Sequence, residues 1–134
     1  MADNLFAVEI ITPERVLYTG ESDFIEFTTT EGEIGVYKNH IPLTAVLAPG
    51  IVYIHNGEET KTAAVHAGFV QILGDRITLL AEIAEWPDEI DVARAEAAKA
   101  RAEQRISNPT PDIDIMRAEF ALRKALIRID IAGR

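Results

Sequence analysis

The sequence predicts an α+β chain: an N-terminal all-β sandwich of about ten short strands, followed by a C-terminal antiparallel α-helical hairpin. Three observations predict it. Turn signals punctuate residues 1–87 every several positions and separate short runs rich in β-branched and aromatic residues. At Trp86-Pro87 strand-like alternation gives way to strong helix formers. The stretch Ser107-Asn108-Pro109-Thr110-Pro111 then divides the helical part in two. The expected domains are residues 1–87 for the sandwich and 88–134 for the hairpin.

In chain order, Leu5 to Ile11, Glu21 to Thr30 and Ile51 to His55 read as strands, with Ile25, Phe27, Thr28 and Thr29 carrying the β-branched and aromatic signal. The turn signals are Thr12-Pro13, Thr19-Gly20, Glu31-Gly32, Pro49-Gly50, Asn56-Gly57 and Gly74-Asp75. Asn56-Gly57 is the strongest, because this pair supplies the positive φ angles of a type I′ hairpin and strands flank it. After Pro87, Asp88 is the expected N-cap of the first helix, which runs through Ile90 to Ile106. Asp112 is the expected cap of the second, which runs to about Ile131 and ends before Gly133.

The first helix presents small residues, Ala93, Ala97 and Ala100 among them. At about 25 cal/mol per Å² an alanine stripe contributes far less than a leucine one. The second helix has a seam at Ile115, Ala118, Leu122, Ala125 and Ile129, and another apolar line at Ile113, Met116, Phe120 and Ile127. One hairpin partner covers one line, so the second helix is expected to pack also on the sandwich or on another subunit. The hairpin is the expected less stable part.

Charge divides the same way. Of the net charge of −9, residues 1–87 hold 13 acidic and 4 basic side chains, and residues 88–134 hold 9 of each. The acidic first part argues against nucleic acid as a partner. The absence of cysteine excludes disulfides, thiol catalysis and cysteine-ligated zinc. The start, Met1-Ala2-Asp3-Asn4, has the form of no signal peptide, and no apolar run approaches the roughly 20 residues of a membrane span. Membrane association is therefore expected only through another protein.

Catalytic patterns are missing from the sequence: no Gly-rich phosphate loop, no Gly-x-Ser-x-Gly, no His-Glu-x-x-His. His40, His55 and His66 read as ordinary sheet-surface histidines, and no carboxylate pair stands out for acid–base work. The segment Gly32 to Leu43 reads, on its residues alone, as a bend between strands with a structural histidine. Arg94, Arg101 and Arg105 lie at i, i+7 and i+11 on the first helix, and Arg117, Lys124 and Arg128 repeat that spacing on the second. Two readings stand. The stripes are solvated and paired to neighbouring acids, or they meet and an anion such as a triphosphate relieves their repulsion.

Two stretches of the first part carry a family resemblance: Ile11-Thr12-Pro13-Glu14-Arg15-Val16-Leu17-Tyr18, and Thr30-Glu31-Gly32-Glu33-Ile34-Gly35-Val36-Tyr37 with Asn39-His40-Ile41-Pro42-Leu43. They are similar to the N-terminal signature of the epsilon subunits of bacterial F-type ATP synthases. Ile90-Asp91-Val92-Ala93-Arg94-Ala95 resembles that family's Ile/Leu-Asp-x-x-Arg-Ala motif at the start of its hairpin. The resemblance covers essentially the whole chain. It implies a non-catalytic central-stalk subunit on the cytoplasmic face of the cell membrane, coupling the c-ring to the γ subunit of a proton- or sodium-driven motor. It also implies that a mobile hairpin extends toward the α and β subunits and inhibits ATP hydrolysis.

By the same resemblance Glu33 and His40 face the polar loops of the c-ring. No cofactor is implied as required, with ATP as a regulatory ligand. The ATP pattern carries over onto Glu85, Ile90, Asp91, Arg94, Ala95, Arg101 and Arg128. Lys124 stands where the family pattern has arginine and offers a positive charge without the planar bidentate fork. The alternative is a stand-alone ATP-sensing module whose hairpin closes on nucleotide. An independent enzyme is disfavoured by the lack of a nucleophile, acid–base pair or metal cluster in the sequence.

Overall fold

Strand alternation explains the first part of the structure. The computed structural model describes residues 4–133. Eight strands form: β1 (Phe6–Ile11), β2 (Val16–Ser22), β3 (Phe24–Thr29), β4 (Gly32–Val36), β5 (His40–Val46), β6 (Gly50–Asn56), β7 (Glu59–Gly74) and β8 (Arg76–Glu85). Their order is β2-β1-β8-β7-β6-β3-β4, with β5 also paired to β7. All these pairs are antiparallel except β1 with β8, which runs parallel from Ala7↔Arg76 to Ile11↔Leu80.

The long strand β7 makes the sandwich possible. Its Glu59–Val65 half pairs with β6 and its Phe69–Gly74 half with β5. Between the halves, Ala67 and Gly68 take positive φ angles of 64° and 110°. A side chain at Gly68 would put its Cβ 2.1 Å from the Leu80 carbonyl oxygen, so only glycine fits this close approach. β8 registers the same event. Ile77, Leu79 and Ala81 are buried in alternation, then the phase slips and Ala84 is the next buried residue. Among the described residues eight strands stand where about ten were expected, because β7 and β8 run long, at 16 and 10 residues.

The sandwich core is built from alternate residues of these strands: Phe6, Val8 and Ile10 of β1, Ile25 and Phe27 of β3, Ile72 of β7, and Ile77 and Leu79 of β8 are all buried. Trp86 packs against this core, its ring meeting Tyr18 edge-on at 6.1 Å.

Two turn expectations and one strand expectation need correction. Thr19-Gly20 lies inside β2, where the absent side chain leaves room for the Tyr18 ring. The run Glu21 to Thr30 is not one strand. The chain bends at Asp23, where the Ser22 hydroxyl lies within hydrogen-bond distance of the Phe24 and His55 carbonyl oxygens. At Asn56-Gly57 the register pairs Asn56 with Glu59, so Gly57-Glu58 forms the two-residue loop and Gly57 alone has positive φ.

The chain divides after Trp86 into two compact units. The second begins with a 3-10 turn at Pro87–Glu89 and continues as α1 (Val92–Ser107) and α2 (Ile115–Ala132). Both helices start later than expected, and the caps move with them. Asp91, not Asp88, caps α1, its carboxylate accepting from the Arg94 backbone N–H at 3.1 Å. Asp114, not Asp112, caps α2 through the Arg117 N–H at 3.1 Å. Asp88 is held in the 3-10 turn, and Asp112 accepts instead from the Thr110 hydroxyl.

Residues Asn108 to Pro111 separate the helices as expected. The buried face of α1 differs from expectation: Ala95 and Ala102 are buried, while Ala93, Ala97 and Ala100 are exposed. Alanine occupies almost every face of α1, so residue type alone does not choose the seam. On α2 the expected seam forms, with Ala118 and Ala125 buried and Ile115, Leu122 and Ile129 partly so. Two alanines seven residues apart on each helix allow close backbone approach.

Candidate functional site

Each expected nucleotide-site residue has a local structural position. Ile90 donates its N–H to the Pro87 carbonyl at 3.3 Å, and Asp91 is the α1 cap. Ala95 is buried in the hairpin seam, and Arg94 and Arg101 are exposed on α1. Arg128 is half-buried on α2. Lys124 sits with its ammonium 5.1 Å from the centre of the Phe120 ring, a cation–π contact. Glu85 belongs to the sandwich unit, as the last residue of β8. One of its carboxylate oxygens lies 3.3 Å from Nε2 of His66.

His66 corrects the reading of ordinary sheet-surface histidines. It is fully buried in the middle of β7, because that strand continues through Ala67–Gly68 instead of ending near it. His55 is half-exposed at the end of β6, bound through Nε2 to Glu26 at 2.8 Å and through Nδ1 to the Thr60 hydroxyl at 3.0 Å. It belongs to a row of stacked rings that the sequence reading missed: Tyr37 on Phe24 at 4.4 Å, Phe24 on His55 at 5.4 Å, and His55 near Tyr53 at 6.5 Å. Rings at alternate positions of one strand, Tyr53 with His55, were the available signal.

Glu33 is exposed on β4 and His40 half-exposed at the start of β5. Nδ1 of His40 lies 2.7 Å from the Ile41 carbonyl oxygen, which places the proton on Nδ1 and leaves Nε2 as an acceptor in the neutral ring. Glu33 lines a groove of about 720 Å³ with Thr29, Ile34, Leu43, Val46 and Phe69, and His40 is not part of its lining. Val46 and Phe69, directly paired across β5 and β7, are 56% and 45% exposed. Ile41 and Tyr37 nearby in sequence are 75% and 66% exposed. Val46, Phe69 and Leu43 together leave an exposed apolar patch in this groove, the kind of surface that suits an interaction site.

In the hairpin, Arg105 of α1 and Arg117 and Lys124 of α2 line a second groove, of about 660 Å³, with Asp112, Asp114 and Phe120. The structure thus brings together the turn-proximal members of the two basic stripes. The hydrogen bond from Thr110 holds the Asp112 carboxyl below its ordinary pKa, so it stays ionised at neutral pH. Among the described residues no three His, Asp or Glu side chains cluster as a metal site. No helix there is long and apolar enough to cross a membrane.

Both units match one family. The β-sandwich domain of the ATP synthase delta/epsilon chain matches residues 5–87, and its long α-helix domain matches residues 88–133. The chain belongs to the ATP synthase delta/epsilon chain family. Among its relatives, the ATP synthase epsilon chain of Halalkalibacterium halodurans is 44% identical over 128 residues, 95% of this chain and 96% of that one. The epsilon chain of Caldanaerobacter subterraneus is 42% identical over 133 residues, 98% and 96% of the two chains. A chain of the Euglena gracilis mitochondrial ATP synthase, solved as OSCP, F1 and c-ring, shares the fold with a TM-score of 0.80 at 21% identity, covering 95% of this chain and 80% of that one.

Proposed function

We propose that this chain is the epsilon subunit of the central stalk of a bacterial F-type ATP synthase. In this reading it is a non-catalytic part that couples the c-ring to γ and restrains ATP hydrolysis. The observation that carries this is the match of both family domains, in order, with bacterial epsilon chains aligned along nearly the whole length. The apolar edge around Val46 and Phe69 supports it as a docking surface for γ. Glu33 and His40 supply a carboxylate and an imidazole for polar loops of the c-ring. The subunit is peripheral at the cytoplasmic face of the cell membrane, held there through the complex, and the coupling ion is a proton or sodium.

Regulation is a two-state switch of the hairpin, with ATP favouring the state that binds it better. Glu85, Ile90, Asp91, Arg94, Ala95, Arg101, Lys124 and Arg128 form the nucleotide set, and the α and β subunits meet the hairpin when it extends. A chain ending at Pro87 is expected to fold, bind γ and release hydrolysis from inhibition. Co-purification with γ and ATPase assays of the reconstituted complex measure this. A truncated chain that cannot bind γ sinks the stalk assignment, and unchanged hydrolysis sinks the inhibitory one.

A further inference from the structure

We propose that Asn56-Gly57, at the loop between β6 and β7, is a self-modification site, where the asparagine side chain closes on the Gly57 nitrogen with Asp23 as the base. The inference stands on this loop alone and is independent of the stalk assignment.

Asn56 is the only one of the four asparagines that precedes a glycine. Asn39 precedes His40, and Asn108 precedes Pro109, whose nitrogen has no hydrogen to give up. Asn56 and Gly57 are both exposed. A Cβ built on Gly57 meets no described atom within 4 Å, so water reaches the loop freely.

The loop is tied to the bend after β2. The Asn56 side-chain amide donates to the Glu21 carbonyl at 3.4 Å, and the Gly57 backbone N–H donates to the Asp23 carboxylate at 2.9 Å. The second contact carries the inference. A backbone nitrogen becomes nucleophilic as its proton leaves, and here a carboxylate already holds that proton. Asp23 is fixed in turn by its own N–H, which donates to the His55 carbonyl at 2.9 Å.

In the first step the Gly57 nitrogen bonds to Cγ of Asn56 and its proton passes to Asp23. The Cγ–Nδ2 bond breaks, Nδ2 takes the proton from Asp23 and leaves as ammonia, and a cyclic imide remains. Water then opens the imide. Attack at Cγ gives aspartate, and attack at the backbone carbonyl gives isoaspartate. Either product puts a new carboxylate beside Asp23, with Glu58 and Glu59 next in the chain, and like charges loosen the loop. Isoaspartate also lengthens the backbone by a methylene and so disturbs the Asn56↔Glu59 pairing that closes β6 on β7.

The test incubates the full-length chain at neutral pH, folded in buffer and unfolded in guanidinium chloride. Peptide mass spectrometry follows the conversion of amide to acid at each asparagine, and chromatography separates isoaspartate from aspartate. Conversion is expected at Asn56 ahead of Asn39 and Asn108, with isoaspartate among the products, and faster in the folded chain than in the unfolded one. D23N keeps a hydrogen-bond acceptor without a base, and should slow the folded rate by about tenfold while leaving the unfolded rate unchanged. D23E keeps the base and should convert faster than D23N. Circular dichroism confirms that the sandwich is intact in each variant. Equal folded rates in D23N and the unsubstituted chain, or in D23N and D23E, overturn the role of Asp23. A folded rate at or below the unfolded one, or no product at Asn56, overturns the site.

Discussion

The sandwich and the hairpin solve burial in opposite ways. The sandwich closes over Phe6, Phe27, Ile72 and Leu79, large side chains from several strands meeting in one core. The hairpin buries Ala95, Ala102, Ala118 and Ala125, and Ile131 is the only large apolar side chain fully buried among its described residues. Area buried scales with side-chain size, so the first unit gains several-fold more per residue from leaving water. The hairpin depends more on its caps and on close backbone approach. A unit held this way opens readily, which suits the regulatory role proposed for it, whereas the coupling role proposed for the first needs rigidity.

Truncating the sandwich core should have the largest effect. Phe27→Ala is expected to cost about 3–5 kcal/mol, because a fully enclosed ring leaves a cavity that the two sheet layers cannot close. Denaturant unfolding of the full-length chain measures it. A loss below about 1 kcal/mol would mean that the core is not tightly packed and the contrast between units is weaker than drawn.

Enlarging the hairpin seam comes next. Ala118→Leu should destabilise α1 against α2 by roughly 1–3 kcal/mol, since the alanine seam has no room for a branched side chain. Hydrogen exchange of residues 92–132 should speed up while the core of the sandwich is unchanged. Stabilisation instead would show that the seam is underpacked.

The smallest effect separates a cap from a ligand residue. Asp91→Ala should cost about 1 kcal/mol of α1 stability, and Asp91→Asn should restore most of it, because asparagine caps as well as aspartate. Helix content followed by circular dichroism against temperature reads both variants. If asparagine recovers the helix but not ATP binding, Asp91 has a second role beyond its cap.

The fold class, the change at Trp86-Pro87, the interhelical turn and the α2 seam were legible because period and proline write them directly. Other features depend on what lies across space. The α1 seam was illegible because alanine is on almost every face, and only packing against α2 selects Ala95 and Ala102. The caps were misplaced because Asp88 and Asp91, like Asp112 and Asp114, compete within three residues, and the start of the helix decides. His66 was misread because Gly68 looks like the end of a strand, whereas here it lets one strand bend and continue. Of the candidate site, the basic stripes were visible as spacing. That Arg105, Arg117 and Lys124 share one groove depends on the path of residues 108–114, which no periodicity encodes.

The parallel pairing of β1 with β8 also sets an order of events during synthesis. Residues 7–11 have no partner on their β8 side until residues 76–80 leave the ribosome, so the first strand waits for nearly the whole sandwich. Until then, β1 and β2 are a lone hairpin with Phe6, Val8 and Ile10 uncovered, the span in which the chain is most exposed to aggregation. The helical segment is made afterwards.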